Sequence, residues 1–540
     1  MRTFARVLPL FCTTGWLLCQ PAHLQVQPSR LRADLVFLTS DVLAGRVSLS
    51  PQADIAARYI AADFQKSGLA PANRDSYLQS FPLIAYRSDP KTRMLILSRK
   101  GADKTFQPGT DFTGAFSTKV DLHGSVVFAG YGITAPEYGY DDYAGLDAAG
   151  RIVLIFDHEP QEDDPRSIWN GTGHTLHAGR WTKVTNARRH GAIGLLIASE
   201  PVRRHPGLLE PARGTGGRGT GGRGTGSSSL RASAPPQSLD DPGQIPAFSV
   251  SAAVLAELLA TSGHTAAELQ ESIDAKLQPR SQALPDTAVE MRLANEEQRP
   301  GVSLNAVGLL EGSDPALKSE TVLLTAHYDH LGVQGGRLYA GANDNASGTV
   351  AVMELARLFA HASPRPKRSL LFVVFGSEEQ LMLGSFYYTA HPLRPLAGTR
   401  AVLNLDMIGR DEAHIPQSEG ALDIPADTSN ELNLVGAYYS ADLQSLIERE
   451  NRKIGLKLDT KFDRDHILNA LFRCDHLPFL EAGIPAIWLF GGFHPGYHEP
   501  SDTVEKLNFT KMEKVIRLAY GTALEIANAP SGPRFGVPAR

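Results

Sequence analysis

Histidine and acidic residues occur in this sequence where short apolar runs end. The run 322–324 leads to His327 and Asp329. Because side chains two positions apart on a strand point to the same face, we expect the Asp329 carboxylate to lie behind the His327 ring. A carboxylate in that position orients an imidazole that binds a metal ion. A further acid, Asp344, precedes a helical pattern, and these residues alone fit either a metal site or an ordinary strand–turn–helix with polar caps.

The other candidate residues are associated with three further apolar runs. Glu378 and Glu379 follow 369–375, Asp406 lies within 402–408, and His494 and His498 follow 486–490. Taken singly, each of these residues fits a solvated turn or a core position where its hydrogen bonds are satisfied. Neighbouring parallel strands, however, end at the same edge of a sheet, and so many ionisable groups at an apolar edge need a compensating cation. Imidazole and carboxylate ligands suit zinc best among the common divalent metals, with manganese or cobalt as alternatives.

The elements that carry these residues alternate regularly after position 285. Runs of strand length alternate with helical patterns, and 369–375 is continuously apolar, as a central strand covered on both faces should be. This alternation predicts an α/β fold with a mostly parallel, mixed central sheet and helices on both faces.

The length of 540 residues predicts more than one domain. Short strands and turns begin near position 117, so we expect a smaller β-rich α/β domain over 117–275. It would be inserted between 23–116, the first part of the larger domain, and a catalytic domain over 285–530. Within the insertion, 214–229 contains only glycine, threonine, serine and arginine and is expected to be a disordered loop, since it has no apolar side chains to bury.

The N-terminus has the pattern of a secretory signal peptide. Two arginines precede an apolar stretch, over 7–19, that is too short to span a bilayer. We therefore expect residues 1–22 to be removed and the protein to be exported to the periplasm or the extracellular space, without stable membrane insertion. A lipid anchor on Cys19 is the weaker alternative. Removal would leave Cys474 as the only cysteine, so no intramolecular disulfide could form.

The composition describes a globular protein without an evident macromolecular target. Hydrophobic residues make up 42% of the chain and charged residues 21%. The net charge of −5 is small for this length and gives no reason to expect nucleic acid as a partner. Neither oligomeric state nor side-chain preference follows from the sequence.

Five segments resemble, in the family's order, the signature blocks of the M28 zinc aminopeptidases. They are 327–332 (HYDHLG), 341–348 (GANDNASG), 377–385 (SEEQLMLGS), 404–409 (NLDMIG) and 497–503 (YHEPSDT). The predicted insertion is similar to the protease-associated (PA) domain that many members carry. The segment 38–46 resembles the stretch that opens their mature chains, so the resemblance covers nearly everything after the expected signal peptide.

The resemblance implies a site with two zinc ions per chain. The residues it implies as ligands are His327 and Asp406 for one ion, Glu379 and His498 for the other, and Asp344 as a bridge between both. It also implies an uncommon cis peptide bond between Asp344 and Asn345.

The resemblance further implies an exopeptidase that removes N-terminal residues from peptides or proteins. Glu378 would act as general base, and a hydroxide bridging the two ions would attack the peptide bond. The phenol of Tyr497 would stabilise the oxyanion, although this tyrosine fits a packing role equally well. One departure from the family pattern is Cys474, where serine is more usual. A cysteine there can alter metal preference or make the enzyme thiol-sensitive, and it leaves the five ligand positions intact.

Two alternative functions remain open. A carboxypeptidase or dipeptidase of the same family would need basic residues to hold a substrate carboxylate, and Arg337, Arg410 and Arg473 lie near the predicted site loops. A catalytically inactive PA-bearing binding protein would normally have substituted ligands. Here all five ligand positions and the general base are present.

Overall fold

The computed structural model describes residues 25–202, 235–240, 244–416, 418 and 421–537. The expected signal peptide (1–22) and glycine-rich loop (214–229) lie outside the described residues.

The described part of the chain alternates helices and strands along most of its length. The helices are α1 (Pro28–Leu38), α2 (Pro51–Lys66), α3 (Arg180–Arg189), α4 (Ala252–Leu259), α5 (Ala266–Lys276), α6 (Gly348–Ala360), α7 (Leu383–Ala390), α8 (Ala441–Asn451), α9 (Leu477–Glu481) and α10 (Phe509–Asn528). Among the residues described, no helix combines the length and the apolar character needed to cross a bilayer.

The strands fall into two main sheets. They are β1 (Ala70–Pro71), β2 (Leu78–Ser88), β3 (Met94–Arg99), β4 (Ala102–Phe106), β5 (Phe112–Thr113), β6 (Val120–Phe128), β7 (Thr134–Ala135), β8 (Tyr140–Asp141), β9 (Ile152–Phe156), β10 (Gly194–Ala198), β11 (Gln237–Leu239), β12 (Ala247–Val250), β13 (Gln282–Leu293), β14 (Asn295–Leu310), β15 (Thr321–His327), β16 (Gly332–Gln334), β17 (Arg337–Tyr339), β18 (Ser369–Phe375), β19 (Thr399–Asp406), β20 (Glu431–Val435), β21 (Lys457–Asp459) and β22 (Ala486–Phe490). The pairs β7–β8 and β16–β17 form two small separate ribbons.

The larger sheet has a parallel centre and mixed margins. Its order is β11-β2-β14-β18-β15-β19-β22-β20-β21, with β1 beside β14. The strand β15 runs parallel to β18 and β19, and β19 runs parallel to β22. Outside this centre the pairing is antiparallel, except between β20 and β21 at one edge. The predicted mixed sheet of an α/β fold is confirmed.

Successive side chains of the central strands enter cores on opposite faces of the larger sheet. Val322 and Leu324 of β15 join one core with apolar residues of α1, α2, α6, α8 and α10. Leu323, between them, joins a second core with residues of α7 and α9. Because helices cover both faces, both sets of side chains must be apolar, which explains the uninterrupted apolar runs of β15 and β18.

A smaller sheet is built by the chain between β2 and β14. Its order is β4-β3-β13-β6-β9-β10-β12-β5, while β11 pairs with β2 in the larger sheet. The helices α4 and α5 cover one face and α3 the other. The strands β3, β4, β5 and β13 pair within this sheet although they lie outside the predicted limits of 117–275. The assignment of domains, including that of a PA domain, stays a prediction.

A buried arginine connects the N-terminal segment to the loops beyond β15 and β17. The guanidinium of Arg46 is fully buried and donates from Nε to Tyr328 O at 2.6 Å. Its other nitrogens donate to Leu38 O, to Ala340 O at 2.8 Å and to Gly341 O at 3.1 Å. Burial lowers the pKa of Arg46 to about 10, against the opposing effect of nearby carboxylates. One side chain therefore satisfies four carbonyls from three segments.

We expect Arg46→Lys to lower the free energy of unfolding by about 2–4 kcal/mol, because an ammonium group cannot reach four carbonyls in this fork geometry. Arg46→Met should cost at least as much, since it leaves buried carbonyls without a donor. Urea unfolding followed by tryptophan fluorescence measures both values. Arg58→Lys, at an exposed position of α2, is the matched control. Equal stability of the Arg46→Lys variant and the control would show that these hydrogen bonds contribute little.

Candidate metal centre

The site residues named from the sequence converge at the carboxyl edge of the larger sheet. The strands β18, β15 and β19 end there side by side, because they are adjacent and parallel. The loop after β22 and the distorted helical turn Ala342–Ser347 complete the edge. We call the resulting group the central cluster, and its members are His327, Asp344, Glu378, Glu379, Asp406 and His498.

One half of the central cluster is centred on His327, the last residue of β15. Its Nε2 atom lies 3.4 Å from Asp344 Oδ1, 3.5 Å from Asp406 Oδ2 and 3.7 Å from Glu378 Oε2. All four side chains are buried. A single imidazole nitrogen therefore faces three carboxylates.

The other half is centred on His498. Its Nε2 atom lies 3.1 Å from Asp344 Oδ2 and 3.3 Å from Glu379 Oε2. The two oxygens of Asp344 thus face different halves, which is the arrangement a bridging carboxylate needs. Glu378 and Glu379 are neighbours in the chain, yet their carboxylates approach different histidines.

Backbone hydrogen bonds fix the position of Asp344. The amides of Asn343 and Asp344 donate to Asp502 Oδ2 at 2.8 Å and 3.1 Å. The peptide bond between Asp344 and Asn345 is cis, which confirms what the resemblance implied. The carboxylate between the two histidines is therefore held from its own backbone.

The carboxylate of Asp329 lies beside Nδ1 of His327, whereas Nε2 of that ring faces the central cluster. Its carboxylate accepts the amides of Glu378 at 2.9 Å and Glu379 at 3.2 Å, and it lies 3.7 Å from His327 Nδ1. The carbonyl oxygen of Asp329 lies closer to His327 Nδ1, at 3.2 Å. The expected position of the Asp329 carboxylate behind the His327 ring is confirmed.

His330 is a site residue that was not predicted from the sequence. It is buried, and its Nδ1 atom lies 2.9 Å from Glu379 Oε1. Donor atoms of His330, Asp344 and Glu379 lie within 4.8 Å of one another, as do those of His327, Asp344 and Asp406. The only sequence signal was a second histidine three positions after His327, in a loop without periodicity.

Electrostatic interactions within the central cluster outweigh the effect of burial. Burial lowers the pKa of His327, yet the carboxylates of Glu378 and Asp406 overcome this and raise it well above its usual value. Burial raises the pKa of Asp344, but the contacts of its carboxylate with the imidazoles of His327 and His498 hold it well below its usual value. Asp344 therefore remains ionised between the two histidines.

The geometry fits divalent metal ions. Several buried donor atoms of the central cluster have no hydrogen-bond partner among the described residues, namely His327 Nε2, Asp344 Oδ2, Asp406 Oδ1 and His498 Nε2. The imidazole–carboxylate distances of 3.1–3.5 Å match the edge of a ligand tetrahedron, which is about 3.3–3.4 Å for zinc ligands at about 2.0–2.1 Å. The residues present can thus hold a metal ion in each half.

Tyr497 lies beside the second half of the central cluster. Its ring stacks on that of His498 with centroids 3.9 Å apart, and it packs edge-on against Phe493 at 5.2 Å. The side chain is half-buried. These contacts fit the packing role directly, and the catalytic role stays a prediction.

Cys474 is closer to the candidate ligands than its place in the sequence suggested. Its Sγ atom donates to Asp406 Oδ2 at 2.8 Å and accepts from Asn404 Nδ2 at 2.9 Å. Burial raises the pKa of the thiol well above its usual value, and the negative charge of Asp406 adds to this. The neutral thiol is therefore a hydrogen-bond donor that orients Asp406.

The three arginines noted in the sequence differ in their surroundings. Arg337 is exposed on β17, and Arg473 lies over the ring of Phe493 at 5.7 Å. Arg410 has a buried Nη1 atom without a hydrogen-bond partner among the described residues. Burial, reinforced by the charge of Arg410, lowers the pKa of His494 to about 3. The charge of Arg410 therefore acts on a histidine of the site loops.

The mixed sheet and the buried histidine–carboxylate cluster at its carboxyl edge define an α/β domain with a candidate metal centre. Comparison with known proteins adds a family to this description. Residues 305–523 match the model of peptidase family M28.

Curated relatives match part of the chain. Aminopeptidase YwaD of Bacillus subtilis is 28% identical over 222 residues, which cover 40% of this chain and 43% of that protein. Leupeptin-inactivating enzyme 1 of Streptomyces exfoliatus is 28% identical over 233 residues, with 39% and 45% covered. The chain spans less than half the length of these curated relatives. The solved structure of an aminopeptidase from Aneurinibacillus sp. strain AM-1 is 20% identical, with 95% of this chain and 96% of that chain covered and a TM-score of 0.46.

We expect Cys474 to resist thiol reagents in the folded protein, because a buried thiol with a raised pKa offers little thiolate. Reaction with a chromogenic disulfide reagent, compared between wild type and Cys474→Ser, should differ by one thiol per chain in denaturant and by none in native buffer. Cys474→Ser should keep its activity, since serine can donate to the same carboxylate. Rapid labelling of Cys474 in native buffer would instead support the thiol-sensitive alternative.

Proposed function

We propose that the chain is an exported aminopeptidase that hydrolyses N-terminal residues from peptides or proteins with two zinc ions. The observation that carries this proposal is the two-sided contact of Asp344, whose oxygens face His327 at 3.4 Å and His498 at 3.1 Å. The names of the matched relatives, an aminopeptidase and a leupeptin-inactivating enzyme, point to peptide substrates. Export rests on the signal-peptide pattern of residues 1–22.

The metal ligands follow from the two halves of the central cluster. We assign His327 and Asp406 to one ion, His498 and Glu379 to the other, and Asp344 to both. When bound, such a pair of ions supplies Lewis acidity and lowers the pKa of a water molecule. The amides that bind Asp329 and Asp502 hold Glu379 and Asp344 in place, so the ligand oxygens are set before metal binds.

Glu378 is suited to proton transfer. Its side chain is fully buried, and its amide is fixed by Asp329 Oδ1 at 2.9 Å. The carboxylate lies beside the half of the cluster centred on His327, whereas Glu379 reaches His498. Glu378 therefore accepts the proton of the attacking water and passes it to the leaving amine. The phenol of Tyr497, next to His498, is the candidate donor to the oxyanion.

A carboxypeptidase or dipeptidase activity is the second candidate, and Arg410 is the observation that favours it. A buried guanidinium nitrogen without a hydrogen bond can bind a substrate carboxylate. Aminopeptidase, carboxypeptidase and dipeptidase activity differ in which peptide terminus must carry a charge.

The substrate class is tested with three versions of one tetrapeptide incubated with the zinc-loaded protein. We expect hydrolysis when both termini are free and when the C-terminus is amidated, and none when the N-terminus is acetylated. Chromatography of the products identifies the released residue. Loss of hydrolysis on amidation alone would indicate a carboxypeptidase. If only a dipeptide with both termini free were cleaved, the activity would be that of a dipeptidase. If the metal-loaded protein hydrolysed none of the versions, the result would support the alternative that the chain is a catalytically inactive binding protein.

Substitution of each of the two glutamates should distinguish the residue that transfers the proton from the residue that binds metal. We expect Glu378→Gln to reduce turnover by roughly 10²–10⁴-fold with unchanged zinc content, because the amide keeps the size of the side chain but cannot accept the proton. Glu379→Gln is the matched variant and should lose zinc, with activity partly restored by excess metal. Turnover and zinc per chain are measured on the same samples. The assignment is reversed if the Glu378 variant loses zinc while the Glu379 variant keeps it.

A further inference from the structure

A second group of histidine and glutamate residues lies at the carboxyl edge of the smaller sheet. The strands β9 and β10 are adjacent and parallel, with Phe156 opposite Ala198. His158 and Glu200 each lie two residues beyond this pair, so they leave the sheet at equivalent positions. The backbone of His158 has φ +46°, a conformation that non-glycine residues adopt rarely. We call His158, Glu162, His174 and Glu200 the β9–β10 cluster.

The donor atoms of the β9–β10 cluster face one another. His158 Nδ1 lies 2.9 Å from Glu200 Oε1 and 3.6 Å from Glu162 Oε2. His174 Nε2 lies 3.5 Å from Glu162 Oε2, and the two imidazole rings stack with centroids 5.2 Å apart. One donor atom from each of His158, Glu162 and Glu200 falls within 4.8 Å of the others. His174 adds a second imidazole on the Glu162 side.

His174 carries a nitrogen that has no hydrogen-bond partner among the described residues. Its side chain is 3% exposed, and its Nδ1 atom is 2.6 Å from Asn469 Oδ1. Since an amide oxygen only accepts, Nδ1 carries the proton, and the lone pair of Nε2 is directed toward Glu162. This nitrogen lies 3.5 Å from Glu162 Oε2, so the two atoms form a pair of ligand atoms that a cation can join. Glu200, 2% exposed, likewise has an Oε2 atom without a partner.

Two cations among the described residues of this region have other contacts. Arg180 lies 3.8 Å from Asp157 and donates to Ser249 Oγ at 2.9 Å. The ammonium group of Lys183 donates to the carbonyl of Tyr131. The side chain of His158 is 21% exposed, which provides an entry path.

We propose that His158, Glu162, His174 and Glu200 form a separate metal site that takes a divalent cation of the zinc class. The separations of 3.5 Å and 3.6 Å are close to the ligand–ligand distance of about 3.3–3.4 Å in a tetrahedral zinc site. Two imidazoles exclude calcium and magnesium, which prefer oxygen ligands. On binding, His158 Nδ1 releases to solvent the proton that it donates to Glu200, and its lone pair turns to the ion. Asn469 orients His174 as the outer partner of a ligand imidazole does.

The site would connect the smaller sheet to the larger one. His174 belongs to a segment that contacts the loop before α9 of the larger domain. Asn170 Nδ2 donates to Asp463 O at 2.7 Å, and His466 Nδ1 lies 2.8 Å from Thr172 O. An ion bound to His174 therefore fixes the segment that docks the smaller sheet, and its role is structural. The inference does not depend on the number of ions in the central cluster.

The site is tested by zinc content per chain after equilibration with zinc and removal of unbound metal. Glu200→Gln and Glu162→Gln should each contain about one ion fewer than wild type, because an amide is a poor zinc ligand. Glu137→Gln is the matched control, since Glu137 pairs with His177 at 2.7 Å outside the cluster. The control should contain as much zinc as wild type. Zinc should also raise the thermal midpoint of wild type more than that of Glu200→Gln.

Equal zinc content in wild type and in folded Glu162 and Glu200 variants would overturn the proposal, and His158 would then be the cation that compensates the glutamates. Loss of an ion in the Glu137 control would overturn the assignment of residues. If the variants fail to fold, crystals of the wild type equilibrated with zinc decide the question. An anomalous-scattering peak between His158 and Glu200 supports the site, and its absence overturns it.

Discussion

Buried negative charge at the carboxyl edge of the larger sheet is the constraint on which the rest of the structure depends. An ionised carboxylate away from water is costly unless hydrogen bonds or opposite charges compensate it. Asp329 and Asp502 are compensated by backbone amides, and Arg46 adds positive charge from the N-terminal side. The carboxylates of Asp344 and Asp406 face the imidazole of His327. Divalent ions are the compensation that their geometry fits, which links the stability of this edge to its chemistry.

The N-terminal segment is part of the site although it is remote in sequence. The helices α1 and α2 bury their apolar faces in the same core as α6 and β15. Their packing brings Arg46 under the carbonyls of Tyr328, Ala340 and Gly341, in the loops from which the cluster residues project. Because these carbonyls are buried, the guanidinium stabilises the loops in their positions. The order of the site is thus partly determined by residues that never approach a substrate.

The sequence predicted the parts of the site that follow from the central parallel strands. Apolar runs identified β15, β18 and β19, and adjacent parallel strands end together, so His327, Glu379 and Asp406 had to meet. The Asp329 carboxylate also lies behind the His327 ring as expected, although its residue is beyond the end of the strand. His330 and His174 are in loops whose paths depend on tertiary contacts, so no periodicity indicated them. The pairing of β3 with β13 joins residues nearly two hundred positions apart, which no local pattern reveals.

In both sheets, adjacent parallel strands end at one edge and place a cluster of histidine and acidic residues there. The loop before α9 contacts residues of both clusters. In each sheet, parallel neighbours deliver a histidine and a carboxylate to one edge, at β15 and β19 in the larger and at β9 and β10 in the smaller. Asn469 contacts His174 of the smaller sheet, and five residues later Cys474 donates to Asp406. Asn469, which contacts the smaller sheet's docking segment, and Cys474, which orients the candidate ligand Asp406, therefore belong to one short segment. A shift of the smaller sheet would move this segment and, with it, the hydrogen bond that positions Asp406.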